Sequence, residues 1–134
     1  RYPTAALAHG AWHIASDIGA KLVVAWSGRG GTARYLSQNN FKIPIIAYSS
    51  DARATRRMAL LGGVTPVLSP PPASGTLGEW NSMVDRLILH RGLARRGDKA
   101  VLLAGKPLGK PKVTNTLAIH TVGEPGSGYG LIRG

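Results

Sequence analysis

The sequence predicts an α/β fold: a three-layer sandwich whose five-stranded, mostly parallel sheet carries helices on both faces. Short runs rich in valine, isoleucine and leucine alternate along the chain with segments whose apolar residues recur at helical spacing. That alternation is what crossover connections between parallel strands require, and it places helices over the sheet. The third observation is quantity. A chain of 134 residues with 43% hydrophobic side chains can fill one core and is too apolar to be disordered.

The elements follow in order. Leu7, Ala11, Ile14 and Ile18 mark a helix over 4–19, with Thr4 as its expected cap and Gly19 as its stop. KLVVAW (21–26) is a short, β-branched run suited to a buried strand, and TARYLSQN (32–39) a short helix. IPIIAYS (43–49) reads as a second strand, with Pro44 near its start, where a missing N–H is tolerated. Ser50 or Asp51 caps a helix to about Leu61, which Gly62-Gly63 ends. VTPVL (64–68) is the third strand, and SPPPASG (69–75) is a loop, because its three prolines fit no regular element interior. Residues 77–91 form a helix with Trp80, Val84, Leu87 and Ile88 on one face. KAVLLA (99–104) and TLAIHTV (116–122) are the last strands, separated by the glycine-, proline- and lysine-rich loop 105–113. The division expected is one domain over 1–123 and an irregular tail over 124–134.

Charge and composition narrow the function. Lys and Arg number 17 against 6 Asp and Glu, a net charge of +11, which points to anionic partners without choosing among them. No apolar run reaches the roughly 20 residues of a membrane span, and residues 1–20 lack the pattern of a leader, so no membrane partner is expected. The absence of cysteine excludes disulfides and thiol chemistry and makes the cytoplasm the expected compartment. A basic nucleic-acid-binding module is one alternative reading, an assembly domain without an effector another; the first rests on net charge alone, and with no recognition motif beside it nucleic acid is not the expected partner.

The stretch VVAWSGRGGTAR (23–34) carries the main candidate site. Gly28, Gly30 and Ala33 match the G-x-G-x-x-G/A spacing of a dinucleotide loop, but Asp51, the carboxylate expected to hold a ribose, is better placed to open the next helix. A triphosphate-binding loop would need Lys followed by Ser or Thr after its last glycine, and Gly31 is followed by Thr32-Ala33. A simple phosphate asks for less. Ser27 and Thr32 offer hydroxyls, Arg29 a cation, and Gly30 and Gly31 let backbone N–H groups approach. From the residues alone, a phosphate cradle and a plain tight turn capped by Thr32 remain equally open. Lys110 and Lys112 could clamp a second anionic group or be solvated.

Other residues have plainer readings. Arg53 and Arg57, four apart, share a helix face and are expected to be solvated or locally paired. Trp80 could stack on a sugar or base, but its register with Val84 and Leu87 favours a core or interface role. His9 and His13 are four apart and could share a metal on one helix face, but without cysteine or carboxylate support no metal site is assigned. The acidic residues are scattered, so no catalytic residue is assigned either.

Four ordered blocks carry a resemblance to the C-terminal domain of pyruvate kinases, over about residues 2–123. SGRGGTAR (27–34) stands where that family has a T-x-S-G-x-T/S-A-R type loop, followed by KIPIIAYS (42–49). RATRRMALLGGVTPVL (53–68) is similar to R-x-x-R-R-L-x-L-x-x-G-V-x-P-V-L, and 96–123 to the K-G-D, A-G-x-P-x-G and T-N-x-x-x-x-H-x-V-G ending. The resemblance implies a regulatory α/β domain attached to a catalytic (β/α)₈ barrel that transfers phosphoryl from phosphoenolpyruvate to ADP with Mg²⁺ and K⁺. It implies no cofactor in this domain, a phosphorylated sugar or nucleotide monophosphate as effector, and subunit contacts within a homotetramer. The effector phosphate would lie in the loop matched by Ser27, Arg29, Gly30, Gly31 and Thr32, faced by the loop bearing Lys110 and Lys112. His120 falls in the matched last strand and reads as structural. The chain departs from the family pattern at Gly31, where several members carry a basic or polar residue, and at Arg29, where serine is usual.

Overall fold

The computed structural model describes residues 3–39, 41–105 and 114–130. Within them run α1 (Pro3–Ile18), β1 (Leu22–Trp26), α2 (Gly31–Ser37), β2 (Ile45–Ser49), α3 (Ala52–Met58), β3 (Val64–Leu68), α4 (Leu77–Arg91), β4 (Lys99–Ala104) and β5 (Thr116–Thr121). The five strands form one sheet in the order β3-β2-β1-β4-β5. The pairs β1–β2, β2–β3 and β1–β4 are parallel, and β4–β5 is antiparallel.

The apolar runs of β1, β2 and β4 are continuous because both faces of the sheet are covered. Val23, Ala25, Ile45, Ala47, Val101 and Leu103 face one way, into a core closed by Ala8, Ala11 and Ala15 of α1, Ala33 and Leu36 of α2, and Met58 of α3. The alternate residues Leu22, Val24, Ile46, Tyr48 and Leu102 face the other way and meet Trp80, Val84 and Ile88 of α4. This is the three-layer arrangement expected. The small alanine face of α1 brings that helix close to the sheet. On the other side, Trp80 is fully buried. Its ring packs edge-on against Tyr48 at 5.7 Å and Trp26 at 6.3 Å, a core role. Pro66 lies within β3, which the strand order puts at a sheet edge, where a missing N–H leaves no ladder bond unmade.

Local chemistry moves several boundaries. Thr4 lies inside α1 instead of capping it, and its hydroxyl oxygen accepts a hydrogen bond from the Thr114 N–H at 3.1 Å. Pro44 precedes β2. The regular part of α3 stops at Met58, and the chain then tightens through bonds from Leu60 N to Arg57 O and from Leu61 N to Met58 O. Residues 124–130 form no helix or strand but fold back onto the domain. The Tyr129 N–H donates to Asn81 Oδ1 at 2.9 Å, and its hydroxyl to Thr116 O at 2.6 Å. Burial holds that phenol well above its usual range. Among the described residues, no helix is long and apolar enough to cross a membrane.

Candidate functional site

The strand order reverses at β1: β2 lies on one side and β4 on the other. In open α/β sheets, the crevice beyond the carboxyl ends of the strands at such a point is where ligands bind. The turn Ser27–Gly30 leaves β1 at this position, and the segment starting at Gly105 leaves β4 beside it.

The turn is built by its own backbone. The Ser27 N–H donates to Tyr48 O at 2.8 Å, and the Gly30 N–H returns to Ser27 O at 3.0 Å. Gly30 adopts φ 91°, in the left-handed region, and a Cβ there would lie 3.3 Å from Met58 Cγ. Gly30 also occupies the cap position of α2, so Thr32 is not the cap. Gly30 has no side chain to do this work. Ser27 does it instead, its hydroxyl oxygen accepting from the Ala33 N–H at 3.1 Å. Ser27 and Thr32 are both buried. Among the described residues, the Ser27 oxygen accepts this bond and no group accepts from its O–H.

Thr32 meets Thr114 hydroxyl to hydroxyl, so the chain returning from the lysine-bearing loop lands on the first turn of α2. Through Thr4, the same Thr114 ties that return to α1. Lys110 and Lys112 themselves lie outside the described residues. Arg29 is exposed, and its carbonyl accepts from Arg57 Nη2 at 3.3 Å. Arg53, Arg56, Arg57 and Leu60 line an open groove of about 380 Å³ alongside. Among the described residues, none of these arginines has a carboxylate within ion-pair distance. The surface beside the turn is therefore rich in positive charge.

Asp51 caps α3, accepting from the N–H groups of Arg53 at 2.8 Å and Ala54 at 3.5 Å. This is the role its position suggested, and it leaves the ribose reading without its carboxylate. Sequence reasoning missed Ser49. Its hydroxyl donates to Gly28 O at 2.8 Å and accepts from the Asp51 N–H at 3.0 Å, joining the turns after β1 and β2. Thr114 was also missed as a site residue. Its only signal was its place in the T-N block, since its partners Thr4 and Thr32 are distant in sequence.

A second polar cluster lies in the other half of the fold. His120 of β5 is fully buried, with Nε2 2.7 Å from Asp85 Oδ1 and Nδ1 3.0 Å from Ser127 Oγ. Ser127 Oγ also accepts from the Thr121 N–H at 2.8 Å and donates to Glu124 O at 2.7 Å. A hydroxyl fixed this way is a strut, not a nucleophile. The cluster fastens residues 124–130 to α4 and β5, consistent with a structural His120.

A family model described as "Pyruvate kinase, alpha/beta domain" matches residues 5–120. A pyruvate kinase of Lactococcus lactis subsp. lactis is 32% identical over 102 residues, 76% of this chain and 20% of that protein. One from Thermotoga maritima is 31% identical over 117 residues, 87% of this chain and 24% of that protein. One from Staphylococcus epidermidis is 32% identical over 123 residues, 91% of this chain and 21% of that protein. The chain thus spans between a fifth and a quarter of the length of these curated relatives. The fold, the four motif blocks and the family match agree: the chain belongs to the pyruvate kinase α/β domain family, the C-terminal domain of those enzymes.

Proposed function

We propose that this domain binds a phosphorylated effector at the turn Ser27–Thr32 and transmits its occupancy to a catalytic barrel in the same protein. The observation that carries the reading is the position of the turn. It lies beyond the carboxyl end of β1, where the strand order reverses, and the return of the 105–113 loop is bonded to it through Thr114 and Thr32. The Ser27 hydroxyl and the Arg29 guanidinium are the donors suited to a phosphate oxygen there, and Thr32 supplies a third where Thr114 donates to it. The neighbouring arginines of α3 favour an anion over a neutral ligand. A phosphorylated sugar or a nucleotide monophosphate is the ligand class.

The reaction of the whole protein, phosphoryl transfer from phosphoenolpyruvate to ADP, belongs to the barrel in this reading, as do its Mg²⁺ and K⁺. The residues here do not fit Mg²⁺, which takes an octahedron of oxygen ligands. Asp51 is a helix cap, Asp85 is bonded to His120, and Asp98 accepts from the Arg95 N–H. An effector changes catalysis only by binding one arrangement of the subunits more tightly than another, so the domain also contributes contacts within a homo-oligomer.

A thermal-denaturation panel on the intact protein tests the binding reading. It compares fructose 1,6-bisphosphate, glucose 6-phosphate, ribose 5-phosphate and AMP with inorganic phosphate and unphosphorylated glucose. A ligand held by the folded state raises the Tm with concentration. A rise with one phosphorylated compound and none with glucose is expected. No rise with any of the panel would overturn the reading and leave the domain a role in assembly.

A further inference from the structure

We propose that His9 and His13 on the outer face of α1 form a binding site for one late first-row divalent metal ion, of which Cu²⁺ and Zn²⁺ are the representative cases. The two rings stand one helical turn apart and meet edge to face at 87°, with their Nε2 atoms 3.2 Å apart. Two imidazoles bound to one tetrahedral Zn²⁺ at 2.0–2.1 Å place their nitrogens about 3.3 Å apart. The two nitrogens are thus spaced as two ligands of one ion are.

The second observation lies just past the end of α2. Asn39 Nδ2 donates to Tyr35 O at 2.8 Å, which fixes the amide with Oδ1 turned towards α1. That oxygen lies 3.4 Å from His9 Nδ1. His9 therefore carries its proton on Nδ1 and presents a lone pair at Nε2. A carbonyl or carboxylate behind a ligating histidine holds its tautomer and orientation in the same manner. Without metal, a proton on His13 Nε2 fills the gap between the rings. With metal, that proton moves to the exposed Nδ1 of His13 through solvent, and both Nε2 lone pairs face the ion. No net proton is released by two neutral imidazoles.

The helix that carries the pair adds no positive charge of its own, although the whole chain is basic. Residues 3–18 contain no lysine or arginine, and Asp17 follows His13 by one turn. Nitrogen donors select late first-row ions over Mg²⁺ or Ca²⁺, with Cu²⁺ bound more tightly than Zn²⁺. The described residues bring no third His, Cys, Asp or Glu to the pair, so the remaining positions are open to water or to a donor from another molecule.

The test uses the intact protein with Cu²⁺ followed by electron paramagnetic resonance, and Zn²⁺ followed by calorimetry. The Cu²⁺ spectrum is expected to show coupling to two imidazole nitrogens, and His9→Gln or His13→Gln to reduce it to one. Each of these exposed substitutions is expected to weaken Zn²⁺ at this site at least tenfold, and His90→Gln to leave it unchanged. Asn39→Leu, which removes only the oxygen behind His9, is expected to weaken it about tenfold. A wild-type spectrum without two-nitrogen coupling, or Zn²⁺ binding unchanged in both histidine variants, would overturn the proposal.

Discussion

The Asp85 carboxylate of α4 and the His120 ring of β5 meet at 2.7 Å in the interior, and the same Asp85 oxygen accepts from the Gly123 N–H at 2.8 Å. One carboxylate thus ties a helix, an edge strand and the turn that follows it. Removing it strands one buried donor, on His120, and one part-buried donor, on Gly123, and leaving such groups unpaired is what makes a lost hydrogen bond expensive. Asp85→Ala is expected to lower stability by about 2–3 kcal/mol in urea unfolding. It should also release residues 124–130 to faster hydrogen exchange. A change under about 0.5 kcal/mol, the usual range of a neutral surface substitution, would show that the cluster is not a fastening.

Two adjacent glycines should behave oppositely. Gly30 has φ 91°, and a Cβ would press on Met58, whereas Gly31 begins α2 with nothing within 4 Å of an added Cβ. Gly30→Ala is expected to cost about 1–2 kcal/mol. Gly31→Ala is expected to stay within about 0.5 kcal/mol of the parent or to stabilise slightly. Chemical denaturation of the two variants side by side measures the difference. Equal effects would mean that the turn does not depend on the left-handed residue.

Glu79 gives a dependence on pH. Hydrogen bonds from Ser74, side chain and then backbone, hold its carboxyl below the ordinary value of 4.5, with the Ala73 N–H adding to them. The charged form is therefore favoured in the folded state. Its stabilisation is complete above the ordinary glutamate range and is lost as pH falls through the depressed folded value. Glu79→Gln should reduce the acid-side loss of stability and leave its slope near neutrality unchanged. An unchanged acid limb in a Tm-against-pH series would contradict this.

The sheet and its helices were legible because their signals are local. The run LVVAW (22–26) is short, β-branched and bounded by glycines, and α4 repeats its apolar residues over four turns and ends at Gly92, with φ 64°. What escaped was non-local. Thr4 looked like a cap because threonine commonly is one, but Thr114, 110 residues away, takes its hydroxyl. Asp85 and His120 lie 35 residues apart, and nothing in either neighbourhood indicates the other. The candidate turn was legible in composition but not in the use of its hydroxyls. Ser27 serves the first turn of α2 because Gly30, chosen for its backbone, cannot.

The most direct measurement is a calorimetric titration of the intact protein with the phosphorylated compound that stabilises it, alongside Arg29→Ala, Thr32→Ala and Lys110→Ala. A charge-assisted hydrogen bond to phosphate accounts for roughly tenfold or more in affinity. The account predicts saturable binding to the parent and a loss of about that size in Arg29→Ala and Lys110→Ala, with Thr32→Ala also weakened. Affinities in all three variants equal to that of the parent would contradict it and place the effector elsewhere on the molecule.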